Sequence, residues 1–347
     1  MLENKDKTPI SALGEFGLID HLTNGLINHH SSTLLGVGDD AAVISAGNEV
    51  LLLSTDMLVE GVHFDMVYTP LKHLGYKAIV VNLSDICAMN ALPEQVLVSL
   101  ALSSKYTLEA VEELYTGMRS AAERYGVDIV GGDTTSSRSG LVISITAVGR
   151  AVSEHVAFRS GAQENDILMV SGDLGGAYMG LQLLEREKAV FQSTQGVQPD
   201  LEGNDYILER QLKPEPRTDV VKTLAERGVK PTSMIDISDG LASEVLHLCK
   251  ASNTGCALYE EKIPIDPMTA DRARDFNLDP TMCALNGGED YELLFTIHPN
   301  DYEKLRNDPH FTPIGHITAA SAGAVLVTRD QTQHPLTAQG WDGLKND

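Results

Sequence analysis

Five short acidic motifs in this chain share one design. In each, an aspartate sits at or just after the end of an apolar segment, among Gly, Ser or Thr. They are Gly36-Val37-Gly38-Asp39-Asp40, Ser54-Thr55-Asp56, Asn82-Leu83-Ser84-Asp85, Gly131-Gly132-Asp133-Thr134-Thr135 and Asp236-Ile237-Ser238-Asp239-Gly240. A strand end directs a carboxylate into the crevice where open α/β sheets bind ligands, and small neighbours let a phosphate or a hydrated ion approach the backbone. Mg²⁺ takes oxygen ligands and keeps several waters, so one or two carboxylates per ion are enough. Several such ions bridging a polyphosphate reverse the sign of the local field, and an acidic site then holds an anion. Two ions clamping a transferring phosphoryl group are an established catalytic device. Taken singly, each motif also has an ordinary reading. Asp-Gly and Gly-Asp pairs are common turn chemistry, and Asp239 stands where an N-cap for the helix beginning near Leu241 would be. Asp85 is different, because it lies late in an apolar helix, where an acid is awkward unless exposed or bound. Spacing alone leaves both readings open.

Other side chains are candidates with equally plain alternatives. His63 follows Glu60-Gly61-Val62 and reads as a substrate contact or as a structural histidine. Tyr115 lies on the apolar stripe of its helix, where core packing is the default. Arg159, in Phe158-Arg159-Ser160-Gly161, offers a planar fork for phosphate or is a surface residue. Glu289, in Gly287-Gly288-Glu289-Asp290-Tyr291-Glu292, reads as an acid for a cation or cationic ring, or as a turn residue. The sole tryptophan, Trp341, either stacks on a heteroaromatic ligand or pins down the tail. No G-x-x-x-x-G-K-[ST] loop, protein-kinase motif set, dinucleotide fingerprint or G-x-S-x-G elbow occurs.

The elements that must position these residues alternate between strand-like and helix-like. Leu51-Leu52-Leu53 is an apolar run entering Ser54-Thr55-Asp56. Residues 72–92 read as a helix, with Tyr76, Ile79, Val80, Leu83 and Cys87 at spacings of three and four. Residues 95–103 alternate as a strand does, and Leu108, Val111, Tyr115, Met118, Ala122 and Tyr125 mark an amphipathic helix. Strands are expected at 127–130, running into Gly131-Gly132-Asp133, and at 141–148. After residue 150 the alternation restarts, with a strand at 166–170 before a Gly-rich turn, a polar and flexible excursion at 190–206, helices at 218–227 and 240–252, and a late strand at 291–297. Two α/β domains are the natural reading, 1–150 and 151–347.

Composition narrows the class. The chain has 347 residues with 42% hydrophobic content, enough for a sizeable core. Its formal charge of −23 makes it a poor partner for nucleic acid, whose phosphates would be repelled. The four cysteines, Cys87, Cys249, Cys256 and Cys283, form no CxxC pair, so reduced, buried thiols in a cytoplasmic protein are expected. The polar start, Met1 to Lys7, lacks a signal-peptide core, and no run of about 18 apolar residues suggests a membrane span.

At these residues the chain resembles the thiamine-monophosphate kinase family, of the aminoimidazole-ribotide synthetase-like superfamily. The resemblance runs nearly end to end. Besides the acidic motifs it includes Gly14-Glu15-Phe16-Gly17-Leu18-Ile19, the run from Met57 through Glu60-Gly61-Val62-His63-Phe64, Lys77-Ala78, Gly287 to Glu292, and Gly340-Trp341. It implies a two-domain α/β (α+β) fold of the aminoimidazole-ribotide synthetase type. A mixed N-terminal sheet with helices would form a homodimer interface, beside a C-terminal α/β domain that completes the site. It implies a kinase acting on ATP and thiamine monophosphate with several Mg²⁺ ions, no covalent catalytic side chain, and no nucleic-acid or membrane partner. Asp40, Ser54, Thr55, Asp56, Asp85, Asp133, Asp236 and Asp239 would hold the ions. Tyr115, Gly132, Asp133, Arg159 and Ser238 would contact ATP, and His63, Glu289 and Trp341 would contact thiamine monophosphate.

Three rivals compete. A selenophosphate synthetase-like enzyme would need a reactive Cys or Sec near the N-terminus, and the first cysteine is Cys87. A carbamoyl-dehydrating maturation enzyme would end in a cysteine, and this chain ends Leu344-Lys345-Asn346-Asp347. A non-catalytic acidic metal-binding protein would explain the charge, but not five Gly/Ser/Thr-flanked acids spread over both halves.

Overall fold

The computed structural model describes residues 10–193 and 198–339. After helix α1 (Gly14–Thr23) comes a six-stranded mixed sheet of β1 (Thr33–Leu35), β2 (Ala42–Ala46), β3 (Glu49–Val59), β4 (Leu92–Leu102), β5 (Asp128–Ser136) and β6 (Leu141–Val152), in the order β1-β2-β3-β6-β4-β5. Its neighbours run antiparallel except β4 and β5, which are parallel. That parallel pair needs a crossover, which helix α3 (Leu108–Tyr125) supplies. Thr107 caps α3 through its side chain, and Gly126 ends it in the left-handed conformation.

Helix α2 (Leu71–Ala88) is the central element. Pro70 precedes it with its φ fixed for entry, and Asn90, at φ 54°, turns the chain away into β4. That left-handed turn is why the helix stops short of residue 92. Apolar residues all round a helix mean burial on every side, and α2 is buried over almost its whole length. One side packs in the core of the first sheet through Ile79, Val80, Leu83 and Ile86. Its C-terminal end, through Cys87 and Ala88, joins a second core with Met169, Met234 and Phe295. Two glycines set its closeness to α3: a Cβ on Gly75 would lie 1.9 Å from the Leu114 carbonyl oxygen, and one on Gly117 would lie 1.8 Å from that of Lys72. Only paired glycines allow this crossing.

The second sheet has seven strands: β7 (Ile167–Ser171), β8 (Ser233–Asp236), β9 (Thr254–Tyr259), β10 (Leu293–Ile297), β11 (Phe311–Ala319), β12 (Ala324–Val327) and β13 (Gln333–Pro335). Their order is β13-β12-β9-β11-β7-β10-β8. The helices around it are α4 (Gly176–Ser193), α5 (Asp205–Leu212), α6 (Thr218–Glu226), α7 (Leu241–Ser252), α8 (Pro267–Asp275), α9 (Pro280–Asn286) and the short α10 (Tyr302–Leu305). The polar stretch 190–206 begins inside α4 and ends inside α5, with 194–197 outside the described residues. The α/β class, with two sheets and ten α-helices among the described residues, is that expected from sequence. Among them no helix is long and apolar enough to cross a membrane.

Candidate active site

The carboxylates converge where α2 meets both sheets. Asp40 follows the Gly38 turn that leads into β2, Asp85 projects from α2, and Asp236 is the last residue of β8. One oxygen from each lies within 4.8 Å of the others. Ser54 of β3 donates a short hydrogen bond to Asp85, and Ser84 donates to Asp236 Oδ2 at 2.6 Å. Asp56 faces the same side of β3 as Ser54, and its amide is held by Asn82 Oδ1 at 3.0 Å. The Asn82-Leu83-Ser84-Asp85 motif thus presents one turn of α2 to β3 and β8 together.

The electrostatics of this cluster are self-repelling. Burial and then the charge of Asp40 push Asp236 up to about 7 from an ordinary 3.8. Burial followed by Asp40 does the same to Asp39, also to about 7. Asp85 is held well above the usual carboxylate range by burial and by Asp56, Asp236 and Asp40, and Asp56 is raised by burial, Asp40 and Glu15. Arg159 opposes this. Its Nη2 donates to Asp40 Oδ1 at 2.6 Å and its amide to both oxygens of Asp39 at 3.2 Å. Yet Asp40 Oδ2 is buried without a hydrogen-bond partner among the described residues. A buried carboxylate oxygen left in that state is costly, and the donor set around it is oxygen only, which suits a hard divalent cation.

Two loops of the second sheet complete the site. The Glu289 amide donates to the Ser238 carbonyl at 2.7 Å, the Tyr291 amide to that of Ile237 at 2.8 Å, and the Ile237 amide to that of Glu292 at 2.8 Å. Asp236 to Gly240 and Gly287 to Glu292 are thereby laced together. Glu289 and Tyr291 take positive φ of 58° and 52°, a strained backbone for residues with side chains. The cap of α7 is Gly240, at φ 110°, and not Asp239; the Asp239 amide instead donates to Glu244 Oε1 at 3.0 Å. His63 lies in the turn after β3, where the Val59 amide donates to its Nδ1 at 3.0 Å, so its neutral ring carries the proton on Nε2. Burial holds its pKa below the usual value.

Not every candidate joins the cluster within one chain. Alternation puts Thr55 on the opposite face of β3 from Ser54 and Asp56, and its hydroxyl bonds the Ile145 carbonyl at 3.0 Å. Asp133 is exposed on the edge strand β5, where the register aligns Met57, Ser144, Ser99 and Asp133 in one row across the sheet. Three strand spacings, roughly 14 Å, separate it from the cluster, and it too lies on the open face. Gly132, beside it, must be glycine, because a Cβ there would lie 1.7 Å from the Val98 carbonyl oxygen. The strand-end placement expected for these acids holds for Asp236 alone, because β3 and β5 continue through their aspartates. Tyr115 packs against the core of the first sheet, as its position on the apolar stripe indicated. Trp341 lies outside the described residues.

Glu244 is not singled out in the sequence, and Asp290 and Glu292 enter only within the Gly287 to Glu292 motif, with no role of their own. Glu244 is almost fully buried beside Asp239, and burial, then Asp239, raise its pKa well above normal. Asp290 accepts from the Gly175 amide at 2.8 Å at the start of α4, and Glu292 pairs with Arg210 and Arg217. A polar residue at an otherwise core-facing helix position, as with Glu244 in α7, is the signal that could have found the first.

Comparison with known proteins shows the family and the fold. Residues 38–151 match the family model "AIR synthase related protein, N-terminal domain". The thiamine-monophosphate kinase of Bacillus subtilis strain 168 is 35% identical over 342 residues, covering 96% of this chain and 100% of that protein. This chain belongs to the thiamine-monophosphate kinase family. Two solved structures of the family extend the match to the fold. AaThiL complexed with AMPPCP and TMP superposes with a TM-score of 0.82 at 31% identity, covering 97% of this chain and 99% of that one. The thiamine monophosphate kinase of Aquifex aeolicus superposes with a TM-score of 0.75 at 30% identity, covering 94% and 100%. As a member of this family the chain is an enzyme, and its acidic crevice is the candidate active site.

Proposed function

We propose that this chain transfers the γ-phosphoryl group of ATP to the phosphate of thiamine monophosphate, giving thiamine diphosphate and ADP. The observation that carries the reading is the convergence of Asp40, Asp85 and Asp236 to within 4.8 Å, in a chain matched to thiamine-monophosphate kinases over nearly its whole length. The orphaned Asp40 Oδ2 and the all-oxygen donor set fit Mg²⁺. Asp40, Asp85 and Asp236, with Ser54, Asp56 and Asp239 alongside, would hold it. Bound there, Mg²⁺ would offset the repulsion between two phosphate-bearing reactants. Thr55 and Asp133, which face the open side of the sheet, belong to the proposed metal set through the family resemblance.

Arg159 stands where its guanidinium meets the carboxylates, and we assign it to ATP with Ser238; Tyr115, Gly132 and Asp133, which lie away from the cluster within one chain, belong to the proposed ATP set through the family resemblance. His63 and Glu289, with Trp341, form the acceptor end. The acceptor phosphate oxygen is already ionised near neutral pH, so it needs no general base and attacks the γ-phosphorus directly and in line. The new bond joins that oxygen to the γ-phosphorus, the bond to the β-phosphate oxygen breaks, and ADP leaves with the electron pair. Catalysis is positioning and charge neutralisation, and the four buried cysteines take no part.

We keep the domain division at residue 150, close to the end of β6 (Leu141–Val152), the last strand of the first sheet along the chain, and the site draws on both domains. The first carries Asp40, Asp56 and Asp85; the second carries Asp236, Asp239 and Glu289. A homodimer is supported by the open face of the first sheet, where Met57, Leu97 and Val130 are exposed. We place the enzyme in the cytoplasm. Direct transfer has a stereochemical consequence: with ATP made chiral at the γ-phosphorus, the product is expected to show inversion. Retention would indicate a phospho-enzyme and contradict the mechanism.

A further inference from the structure

Lys77 lies on α2 eight residues before Asp85, and Lys77, Val81 and Asp85 share one face at spacings of four. The rise of the helix puts roughly 12 Å between the first and the last. Lysine is among the residues least often buried, yet Lys77 is only 5% exposed. Its ammonium has two partners from distant segments. Nζ lies 3.0 Å from Glu289 Oε1 and donates to the Gln211 carbonyl at 2.9 Å. The Gln211 side chain, itself buried, donates through Nε2 to the other oxygen, Glu289 Oε2, at 2.8 Å. Both carboxylate oxygens of Glu289 are therefore fixed, one by each partner, on a backbone already in a left-handed conformation.

We infer that Lys77 is a positioning residue, which with Gln211 holds the Glu289 carboxylate in the orientation that receives the acceptor. The inference rests on the proposed placement of Glu289 at the acceptor end. The pair joins the helix layer of the first sheet to α5 and to the strained turn before β10. Lys77, Glu289 and Glu15 all act electrostatically on His63, so the four groups face one region. The ammonium also offsets a negative charge that would otherwise add to the carboxylates nearby. A partly buried carboxylate that loses its cation both reorients and resists burial. Lys77 stands away from the phosphoryl-transfer centre, so its removal strikes acceptor binding and spares the nucleotide.

A double-mutant cycle separates positioning from a plain structural role. Lys77→Met is expected to raise KM for thiamine monophosphate on the order of 30-fold while KM for ATP stays within about twofold, in keeping with loss of one member of a charged, hydrogen-bonded pair. Glu289→Gln is expected to raise the acceptor KM by a similar factor, and the double variant to be no worse than the poorer single one. If the two effects multiply, Lys77 acts independently of Glu289 and the inference falls. It also falls if KM for ATP rises in step and the thermal midpoint drops, which would mark a staple between the two sheets. Gln211→Leu provides a second route, since Gln211 Oε1 has no partner to lose among the described residues. A smaller rise in acceptor KM is expected there, about fivefold for one lost hydrogen bond, and no change would overturn the proposal. If Glu289→Gln alone leaves the acceptor KM unchanged, the acceptor-end assignment fails first, and the Lys77 inference with it.

Discussion

Asp236→Asn is expected to lower kcat about a thousandfold, close to 4 kcal/mol of transition-state stabilisation, while leaving the fold intact. The substitution removes one of the three converging carboxylates and with it a ligand for the cation that offsets phosphate charge. The amide oxygen can still accept from Ser84 Oγ, now 2.6 Å from Asp236 Oδ2, so local packing is kept. Burial and Asp40 penalise ionised Asp236 in the folded chain. The neutral amide relieves that penalty, and the metal-free variant should therefore melt at or above the parent near pH 8. Steady-state kinetics with a melting curve check both halves. A variant that keeps more than about a tenth of the parental kcat, or that fails to fold, would show Asp236 to be structural and not part of the cation site.

The second large effect is a linkage between divalent cation, pH and stability. Asp236 and Asp39 stand at about 7 in the folded chain against an ordinary 3.8, and Asp40, Asp56 and Asp85 are raised as well. A carboxylate with a raised folded pKa holds protons that the unfolded chain has released. Its stability contribution is full below about pH 4 and is lost as pH rises through 7. The metal-free protein accordingly loses stability from these groups over that window. A cation competes with those protons and replaces them. Saturating Mg²⁺ should raise the thermal midpoint by about 5 °C or more near pH 8, and by less than half as much near pH 5.5. Melting in Mg²⁺ against chelator at the two pH values measures this. An increment independent of pH would mean that the ion binds elsewhere.

How much of this was legible in the sequence depended on the periodicity of each element. Helix α3 was readable end to end from its apolar stripe, Leu108 to Tyr125, and the Thr107 cap and terminal Gly126 fall at its two ends. Helix α2 was readable as a helix but not in its end, since the apolar run continues past Asn90 and only the left-handed turn there stops it. The acidic motifs identified Asp40, Asp85 and Asp236 without showing that they meet. Their convergence depends on α2 lying between two sheets, a long-range fact that no local spacing encodes. The sheet faces were hidden as well. Thr55 next to Asp56, and Asp133 next to Gly132, read as equals in the motif, yet pleating sends neighbours to opposite faces. Lys77 entered only as part of a motif and Gln211 not at all, because the role of a buried polar group is visible only once its partner from a distant segment is known.

The most direct test of the central claim is a single reaction with purified protein, ATP and Mg²⁺, with thiamine monophosphate present or omitted, its products separated by chromatography. Thiamine diphosphate and ADP are expected in equal amounts, only when thiamine monophosphate and Mg²⁺ are both supplied. ATP bound without any diphosphate formed, or ADP released at the same rate with the acceptor left out, would contradict the assignment of thiamine monophosphate as the acceptor.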